Sequence, residues 1–400
     1  MKDFSFVHAA DLHLGYSQYG LEARREDFDR VFQELVDKTI ELKPDFMIIA
    51  GDLFHHARPS NVTLEKSIRN FSRLRENGIP VLAVDGSHDS APNTITGTVL
   101  NPLDSAGLIH YLPRHEGACW KKAESCYVYG VPNFRTRQKT DELLPVFMEQ
   151  NKPNPDPSLF NIFVFHMTID LPSIKPPYIE AEASPALIPE GFNYYAGGHI
   201  HRTYKERFKT GLLVYSGCVE TVDYEEAENP KGFYYVKVES NEVSTEFMEL
   251  ESPRKFIIQE HDLTGVSAQK ITERIAQFVK EADQEGAIIV PVLKGILPIN
   301  SNRSEIDITK IRSIAERALF VHPVVLLQES QVSDEVVRSI FESGFKDMKT
   351  KAFEYFLQVF SESYDAQKSE KIARVAVNLI ESLAVKNEEK VKQNLEELLH

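Results

Sequence analysis

Six carboxylate and imidazole residues stand just beyond apolar runs of this chain: Asp11, His13, Asp52, His166, His199 and His201. Such side chains converging on one point suit a Mn²⁺, Fe²⁺ or Zn²⁺ ion. The set is arranged around Ile48-Ile49-Ala50-Gly51-Asp52-Leu53-Phe54-His55-His56. There the apolar run Phe46 to Ala50 stops at Gly51-Asp52, which predicts a buried strand ending where open α/β sheets place their ligands. Glycine lets the backbone turn sharply at that point. The expectation is that Asp52 bridges two metal ions while the other ligands arrive on separate strand ends. Taken alone, Gly-Asp after a strand also fits an ordinary turn.

Asp11-Leu12-His13 points two ligand types the same way, because side chains alternate with period two along an extended chain. An aspartate-capped turn with a surface histidine would be written with the same residues. His199 and His201 repeat the spacing after Gly197-Gly198, a pair that permits close backbone approach. Asp85-Gly86-Ser87-His88-Asp89 places further polar groups past a third apolar run. Each piece is ambiguous, but the ordered series Asp-x-His, Gly-Asp, Gly-x-His-Asp, His, Gly-His-x-His would need the same coincidence at every strand end. Two cations about 3.5–4 Å apart can activate a shared water and neutralise both the attacking and the leaving oxygen of a phosphodiester.

The elements that must carry these residues read as strand Phe4–Ala9, helix Glu22–Leu42 and strand Asp45–Ala50. The helix has Phe28, Val31, Phe32, Leu35, Val36 and Ile40 on one stripe and is ended by Pro44. Strand, helix, strand is a βαβ unit, so the sheet is at least partly parallel. Arg58-Pro59-Ser60 opens a helix through about Asn77, followed by a strand at Ile79–Val84. Asn93–Arg114 reads as loop-rich, Cys126–Val131 as a strand, Asp141–Met148 as a short helix and Phe160–Phe165 as a strand ending at His166. The long Asp170–Gly191 loop is a candidate substrate wall. Leu212–Tyr215, Gly232–Val238 and Val243–Leu250 read as strands of a second, more antiparallel sheet.

After Ser252-Pro253 the pattern restarts as a small α+β domain. Its cations, Arg254, Lys255, Lys270, Arg274, Lys294, Arg303, Lys310, Arg312 and Arg317, are interleaved with acids. They fit either a phosphate-facing surface or a solvated face. From Ser333 the chain reads as helical, with an aromatic block (Phe341, Phe345, Phe353, Tyr355, Phe356, Phe360). An amphipathic stripe follows (Ile372, Val375, Leu379, Ile380, Leu383), continued by Val391, Leu395 and Leu398. These helices pack on their own domain or dock a partner's helices.

Four hundred residues predict two or three domains, and 42% hydrophobic with 26% charged residues is the balance of a soluble globular protein. No apolar run approaches the roughly 18 residues of a membrane span. Met1-Lys2-Asp3-Phe4 leads straight into a strand, so no signal peptide is expected and a cytoplasmic location is. Cys119, Cys126 and Cys218 have no C-x-x-C pattern and are expected as buried thiols, not disulfides or zinc ligands. A net charge of −15 argues against a purely electrostatic nucleic-acid binder but not against a nucleic-acid enzyme, because local patches and metal ions can neutralise phosphates.

The motif series resembles the calcineurin-like metallophosphoesterase superfamily. Gly51-Asp52-Leu53-Phe54-His55, Arg58-Pro59-Ser60 and Gly198-His199-Ile200-His201 resemble its SbcD-type nuclease branch, most closely the smaller YhaO-like DNA repair exonucleases. The resemblance covers roughly residues 4–250 and extends more loosely over 254–330. It implies an α/β fold, a two-sheet αββα sandwich with a small α+β cap domain and C-terminal helices. The implied division is a nuclease domain at 1–250, a capping and DNA-binding domain at 251–330 and a partner-binding helical region at 331–400. Carried over by position, Asp11, His13, Asp52 and His201 would hold a first metal. Asp52, His166 and His199 would hold a second, the resemblance implying manganese for both ions, with Fe²⁺ or Zn²⁺ as alternatives. His88 would act on the phosphate, oriented by Asp89, with His55 near the scissile bond and Arg58 and Ser60 on the substrate. A protonated His88 would stabilise developing charge or the leaving 3′-oxygen.

The family's Gly-Asn-His-Asp is here Gly86-Ser87-His88-Asp89, so Ser87 stands where an amide oxygen would ligate the second metal. The resemblance implies a metal-dependent DNA exonuclease or endonuclease of double-strand-break repair, working with an SbcC-like coiled-coil ATPase through the C-terminal helices. A homodimer through the helix at 62–77 and the Asn93–Arg114 region is also implied. The competing readings are a DNA-end-binding subunit weakened at Ser87 and a phosphodiesterase for small molecules.

Overall fold

The computed structural model describes residues 2–91, 97–174, 180–240, 242–298, 301–329, 345–361 and 366–384, with 389, 390 and 393. Two compact units are distinguished, Met1–Phe256 and Ile257–His400.

The first unit contains two six-stranded sheets. Its elements begin with β1 (Phe4–Ala9), α1 (Glu22–Leu42), β2 (Phe46–Ala50), α2 (Asn61–Glu76), β3 (Val81–Val84), α3 (Leu100–Ser105) and β4 (His110–Tyr111). They continue with β5 (Cys119–Lys122), β6 (Cys126–Gly130), α4 (Arg137–Gln150), β7 (Phe160–His166) and β8 (Tyr194–Gly198). Then come β9 (Tyr204–Phe208), β10 (Gly211–Tyr215), β11 (Gly232–Glu239) and β12 (Glu242–Glu249). Sheet one runs β12-β11-β1-β2-β3-β4, and sheet two runs β5-β6-β7-β8-β10-β9. The β1-β2-β3-β4 and β6-β7-β8-β10 blocks are parallel, so each brings its strand C-termini to one edge.

Alternation along each strand builds the layers. Phe4, Phe6, Ile48, Leu82 and Val84 of sheet one bury against Val128, Ile162, Val164 and Ala196 of sheet two. The opposite faces of the same strands, through Val7, Ala9, Met47, Ile49 and Ala83, take Val31, Phe32, Leu35 and Val36 of α1 with Phe71 and Leu74 of α2. Tyr129, Phe163, Phe165 and Leu213 cover the far side of sheet two with Leu144 of α4. The result is the expected αββα sandwich, held by side chains whose full burial contributes about 1.5–3 kcal/mol each before the entropy of ordering is charged. The helix ends follow local chemistry. Lys43 takes a left-handed C-cap before Pro44. The Ser60 hydroxyl caps α2 by accepting the Thr63 N–H.

Three expectations need correction. Leu212–Tyr215 does not share a sheet with Gly232–Val238 and Val243–Leu250. β10 pairs parallel with β8 in sheet two, whereas β11 pairs antiparallel with β1 and carries β12 to the edge of sheet one. Apolar alternation fixes which face is buried but not which strand lies alongside. The Asp141–Met148 helix is longer, because Thr136 caps it and Pro145 is accommodated inside. The Asn93–Arg114 region contains α3 and the edge strand β4 among its described residues.

In the second unit, β13 (Phe256–Asp262) leads to α5 (Ala268–Glu281), β14 (Ile288–Ile296), α6 (Ile308–Ser313), β15 (Phe320–Val321) and β16 (Val324–Gln328). Ile271, Ile275 and Val279 of α5 bury against Ile289, Leu293 and Leu327 of the sheet. Several of its cations face acids, including Lys294 with Glu260 at 2.5 Å and Arg303 with Glu329 at 3.6 Å. Further on are α7 (Phe345–Ser361) and α8 (Ala366–Ala384), where the Arg374 guanidinium lies 5.9 Å from the Phe353 ring centre. Ala373 and Val375 of α8 are buried. Phe341, Val391, Leu395 and Leu398 lie outside the described residues. No described helix is long and apolar enough to cross a membrane, and all three cysteines are free, Cys126 and Cys218 being buried.

Candidate metal centre

The strand ends deliver the ligand-type side chains from both sheets. Asp11 and His13 follow β1, Asp52 follows β2, and the Gly86–Asp89 turn follows β3. From sheet two, His166 is the last residue of β7, and His199 and His201 follow β8. Two groups result, each with its ligand atoms within 4.8 Å of one another: Asp11, His13 and His201, and Asp52, His166 and His199. Asp52 Oδ2 lies 3.2 Å from His166 Nε2 and 3.9 Å from His13 Nε2, so one carboxylate oxygen reaches both groups. Asp11 Oδ1 lies 3.7 Å from His201 Nε2 and also accepts the His199 backbone N–H at 3.1 Å.

The chemistry of this set fits a divalent cation. His166 Nδ1 faces the Ala50 carbonyl at 2.8 Å, which turns Nε2 toward the centre. That Nε2 is buried and makes no hydrogen bond, yet it faces a carboxylate oxygen. A proton on Nε2, or a cation in its place, satisfies both atoms. Burial opposes a charge on the His166 ring, but the Asp52 and Asp11 carboxylates reverse this and push it up to about 10. Burial raises Asp52 as well, and His166 more than compensates, holding it well below the carboxylate range. Burial pushes Asp11 up to about 6. Burial and then His166 push His199 down to about 3, leaving a neutral imidazole of the kind metals take.

The backbone is forced to achieve this. Asp11, His13, Asp52 and His199 have φ values of 55°, 47°, 48° and 91°, a left-handed region that L side chains adopt at a cost of about 1–3 kcal/mol each. Two glycines are there for space. A Cβ on Gly198 would sit 1.9 Å from the Ala50 carbonyl oxygen, and one on Gly86 would sit 2.1 Å from Asp52 Oδ1. The two sheets therefore meet backbone to backbone beneath the site.

Around the core, His88 donates its backbone N–H to Asp52 Oδ1 at 2.9 Å, and Ser87 Oγ donates to Asp52 Oδ2 at 3.4 Å. The His88 ring is held at Nδ1 by the His55 carbonyl, 2.9 Å away. The expectation that Asp89 orients that ring is therefore corrected. The buried Asp89 carboxylate accepts the Gly86 and Phe54 N–H groups at 2.7 and 3.2 Å, so it shapes the turn rather than the imidazole. Burial, then the Asp52 charge, pushes it up to about 7. His55 stacks on Tyr16 at 3.7 Å between ring centres and reaches His13 at 3.3 Å. Ser60 is engaged in capping α2, and Arg58 is exposed.

Three contributors escaped the sequence reading. Glu226 presents Oε2 to His201 Nδ1 at 2.7 Å while its Oε1 accepts the Val222 and Asp223 N–H groups. Glu182 lies 3.4 Å from His199 Nε2, and Tyr16 backs His55. Asp223-x-x-Glu226 is visible as a capping box, but that pattern announces a helix start and says nothing about His201. The centre opens on a cleft of about 480 Å³ whose rim carries Asp223, Glu225 and Glu226. Arg202 is the cation of that lining, and bound metal ions would offset the remaining acidic charge toward an anionic ligand.

Fold and site together define a metal-dependent phosphoesterase. Residues 4–203 match the family described as Calcineurin-like phosphoesterase, and the chain belongs to that family, whose members use divalent metal ions. The DNA double-strand break repair protein Mre11 of Archaeoglobus fulgidus is 29% identical over 371 residues, 84% of this chain and 80% of that protein. Its counterpart in Methanocaldococcus jannaschii is 32% identical over 253 residues, 60% of this chain and 63% of that one. A dimetal phosphatase from Danio rerio aligns over 62% of this chain and 96% of its own at 9% identity, with a TM-score of 0.38.

Proposed function

We propose that this chain is a metal-dependent DNA nuclease of double-strand-break repair, a 3′-to-5′ exonuclease on duplex ends using two Mn²⁺ ions. The observation that carries the proposal is the position of Asp52 Oδ2, within 3.9 Å of imidazoles from both ligand groups. In this reading Asp11, His13, Asp52 and His201 hold one ion, and Asp52, His166, His199 and Ser87 hold the other. When bound, the cations supply an activated water and neutralise the attacking and leaving oxygens. The chain's own residues do the rest. His88, fixed at Nδ1 by the His55 carbonyl, offers Nε2 to the phosphate or the leaving 3′-oxygen. Tyr16 and His13 fix the plane of His55 beside it. Glu226 holds Nδ1 of His201, fixing which nitrogen faces the centre, and Glu182 lies 3.4 Å from Nε2 of His199.

Support for the substrate class comes from the similarity to DNA double-strand break repair proteins. The same similarity supports a coiled-coil ATPase of the SbcC type as partner, docked on the C-terminal helices. A homodimer through α2 is in keeping with Val62 and Ile68, which stand exposed on that helix. The capping domain is assigned to 251–330 and the partner-binding region to 331–400. A soluble cytoplasmic location belongs to the same proposal.

One observation favours a second reading. Ser87 turns its hydroxyl toward Asp52 and offers no amide oxygen, which fits a DNA-end-binding subunit with a weak second metal site. A small-molecule phosphodiesterase has no use for the second unit. The test is Mn²⁺-dependent hydrolysis of linear duplex DNA beside a chromogenic phosphodiester. Cleavage of both is expected; cleavage of the chromogenic diester alone overturns the nuclease reading.

A further inference from the structure

We propose that Asp104, His110 and His115 form a separate metal site, of the Zn²⁺ class, at the edge of sheet one. Asp104 lies on α3, His110 on β4, and His115 just beyond β4, whereas the residues of the main centre follow β1, β2, β3, β7 and β8. One carboxylate oxygen and a nitrogen from each imidazole lie within 4.8 Å of one another. The two rings are stacked, with centres 3.8 Å apart and planes 9° from parallel, so the His115 ring must turn out of the stack for both imidazoles to aim a lone pair at one ion.

His110 has the features of a ligand. The Cys119 backbone engages its ring, and Nε2 is buried with no hydrogen-bond partner. A ring anchored at one nitrogen by a backbone carbonyl and bare at the other is how metal-bound histidines are usually held. His115 Nε2 is 2.7 Å from Asp104 Oδ1. On binding a cation, the proton shared in that contact leaves to solvent and the ion takes its place. Bonds of about 2.0–2.2 Å then hold the nitrogen and oxygen slightly further apart than they now stand. His115 can supply that adjustment, being 38% exposed, whereas Asp104 is fixed. The Tyr111 N–H donates to Asp104 Oδ1 at 3.0 Å, and Arg114 donates to Oδ2 at 2.8 Å. The Arg114 charge tempers the affinity but leaves Oδ1 as the ligand oxygen. A fourth position opens on a cleft of about 430 Å³ beside Ile79, Leu108 and Trp120, where water or an external ligand completes the shell.

The full chain, stripped with chelator, is loaded with Zn²⁺ or Co²⁺, dialysed and assayed for bound ion by elemental analysis and cobalt absorption. Wild type is compared with His110→Ala and His115→Ala. Each variant is expected to hold one ion fewer per chain and to lose a tetrahedral cobalt component, while keeping its Mn²⁺-dependent phosphodiester hydrolysis. Should His110→Ala unfold, the more exposed His115→Ala reads the same loss. Equal ion content in wild type and variants overturns the proposal. So does loss of Mn²⁺-dependent hydrolysis together with the ion, which would assign that ion to the main centre.

Discussion

Gly198→Ala tests whether the backbone contact beneath the centre sets its geometry. The added Cβ would lie 1.9 Å from the Ala50 carbonyl oxygen, where ordinary contact begins at 3.4 Å. The nearest neighbour is main chain, and the next are the buried His166 ring at 2.8 Å and the Ala10 Cβ at 2.9 Å, so nothing there yields cheaply. β2 and β8 must part by roughly 1.5 Å, or β8 must twist. Gly198 pairs with His166 across β7 and β8, so the shift passes directly to His166, His199 and His201 relative to Asp52. Overpacking of this kind costs about 1–3 kcal/mol of stability, and a displacement near 1 Å costs about 10²-fold in rate. The measurements are Mn²⁺ affinity by calorimetry, hydrolysis of a chromogenic diester, and thermal melting. The expected variant is folded, melts several degrees lower at about 2–4 °C per kcal/mol, binds Mn²⁺ more weakly and is about a hundredfold slower. Wild-type affinity and rate in a folded Gly198→Ala protein would refute the reasoning.

Ser87→Asn restores an amide oxygen beside Asp52 and is expected to raise Mn²⁺ affinity and rate at micromolar metal; an unchanged titration curve means Ser87 already serves. Glu226→Gln replaces the carboxylate behind His201 and is expected to weaken metal binding about 10–100-fold with the fold intact, read by calorimetry and melting. His8 is fully buried, and burial pushes its ring down to about 3 from 6.5. The unfolded chain therefore takes up a proton below about 6.5 that the folded chain refuses until about 3, so stability falls as pH falls through that window. His8→Leu removes this dependence and should flatten the stability profile by up to about 1.4 kcal/mol per pH unit in thermal or urea melts; parallel profiles count against the assignment.

Much of this was legible in the residues, for identifiable reasons. α1 runs from Glu22 to Leu42 as its apolar stripe and Pro44 require, and α2 starts at the Ser60 cap. The ligand-type residues could be read because each apolar run stops abruptly and a carboxylate or imidazole follows. The neighbours of β10 and β11 could not be read, since alternation records a face and not a partner. Nor could the roles of Asp89, Glu182 and Glu226. Asp89 next to His88 looks like a catalytic pair, yet its oxygens are taken by N–H groups at positions 54 and 86. Glu226 meets His201 across 25 residues of chain, a contact set by the path of the intervening loop.

The central claim is that the strand-end groups hold cations which, with His88, hydrolyse DNA phosphodiesters. Its most direct test is release of nucleotides from linear duplex DNA with and without Mn²⁺, wild type beside His88→Ala, with bound Mn²⁺ counted in both. Release by wild type is expected only when Mn²⁺ is present. His88→Ala is expected to lose release with its metal content unchanged. Release without added metal from chelated protein, or undiminished release by His88→Ala, would contradict it.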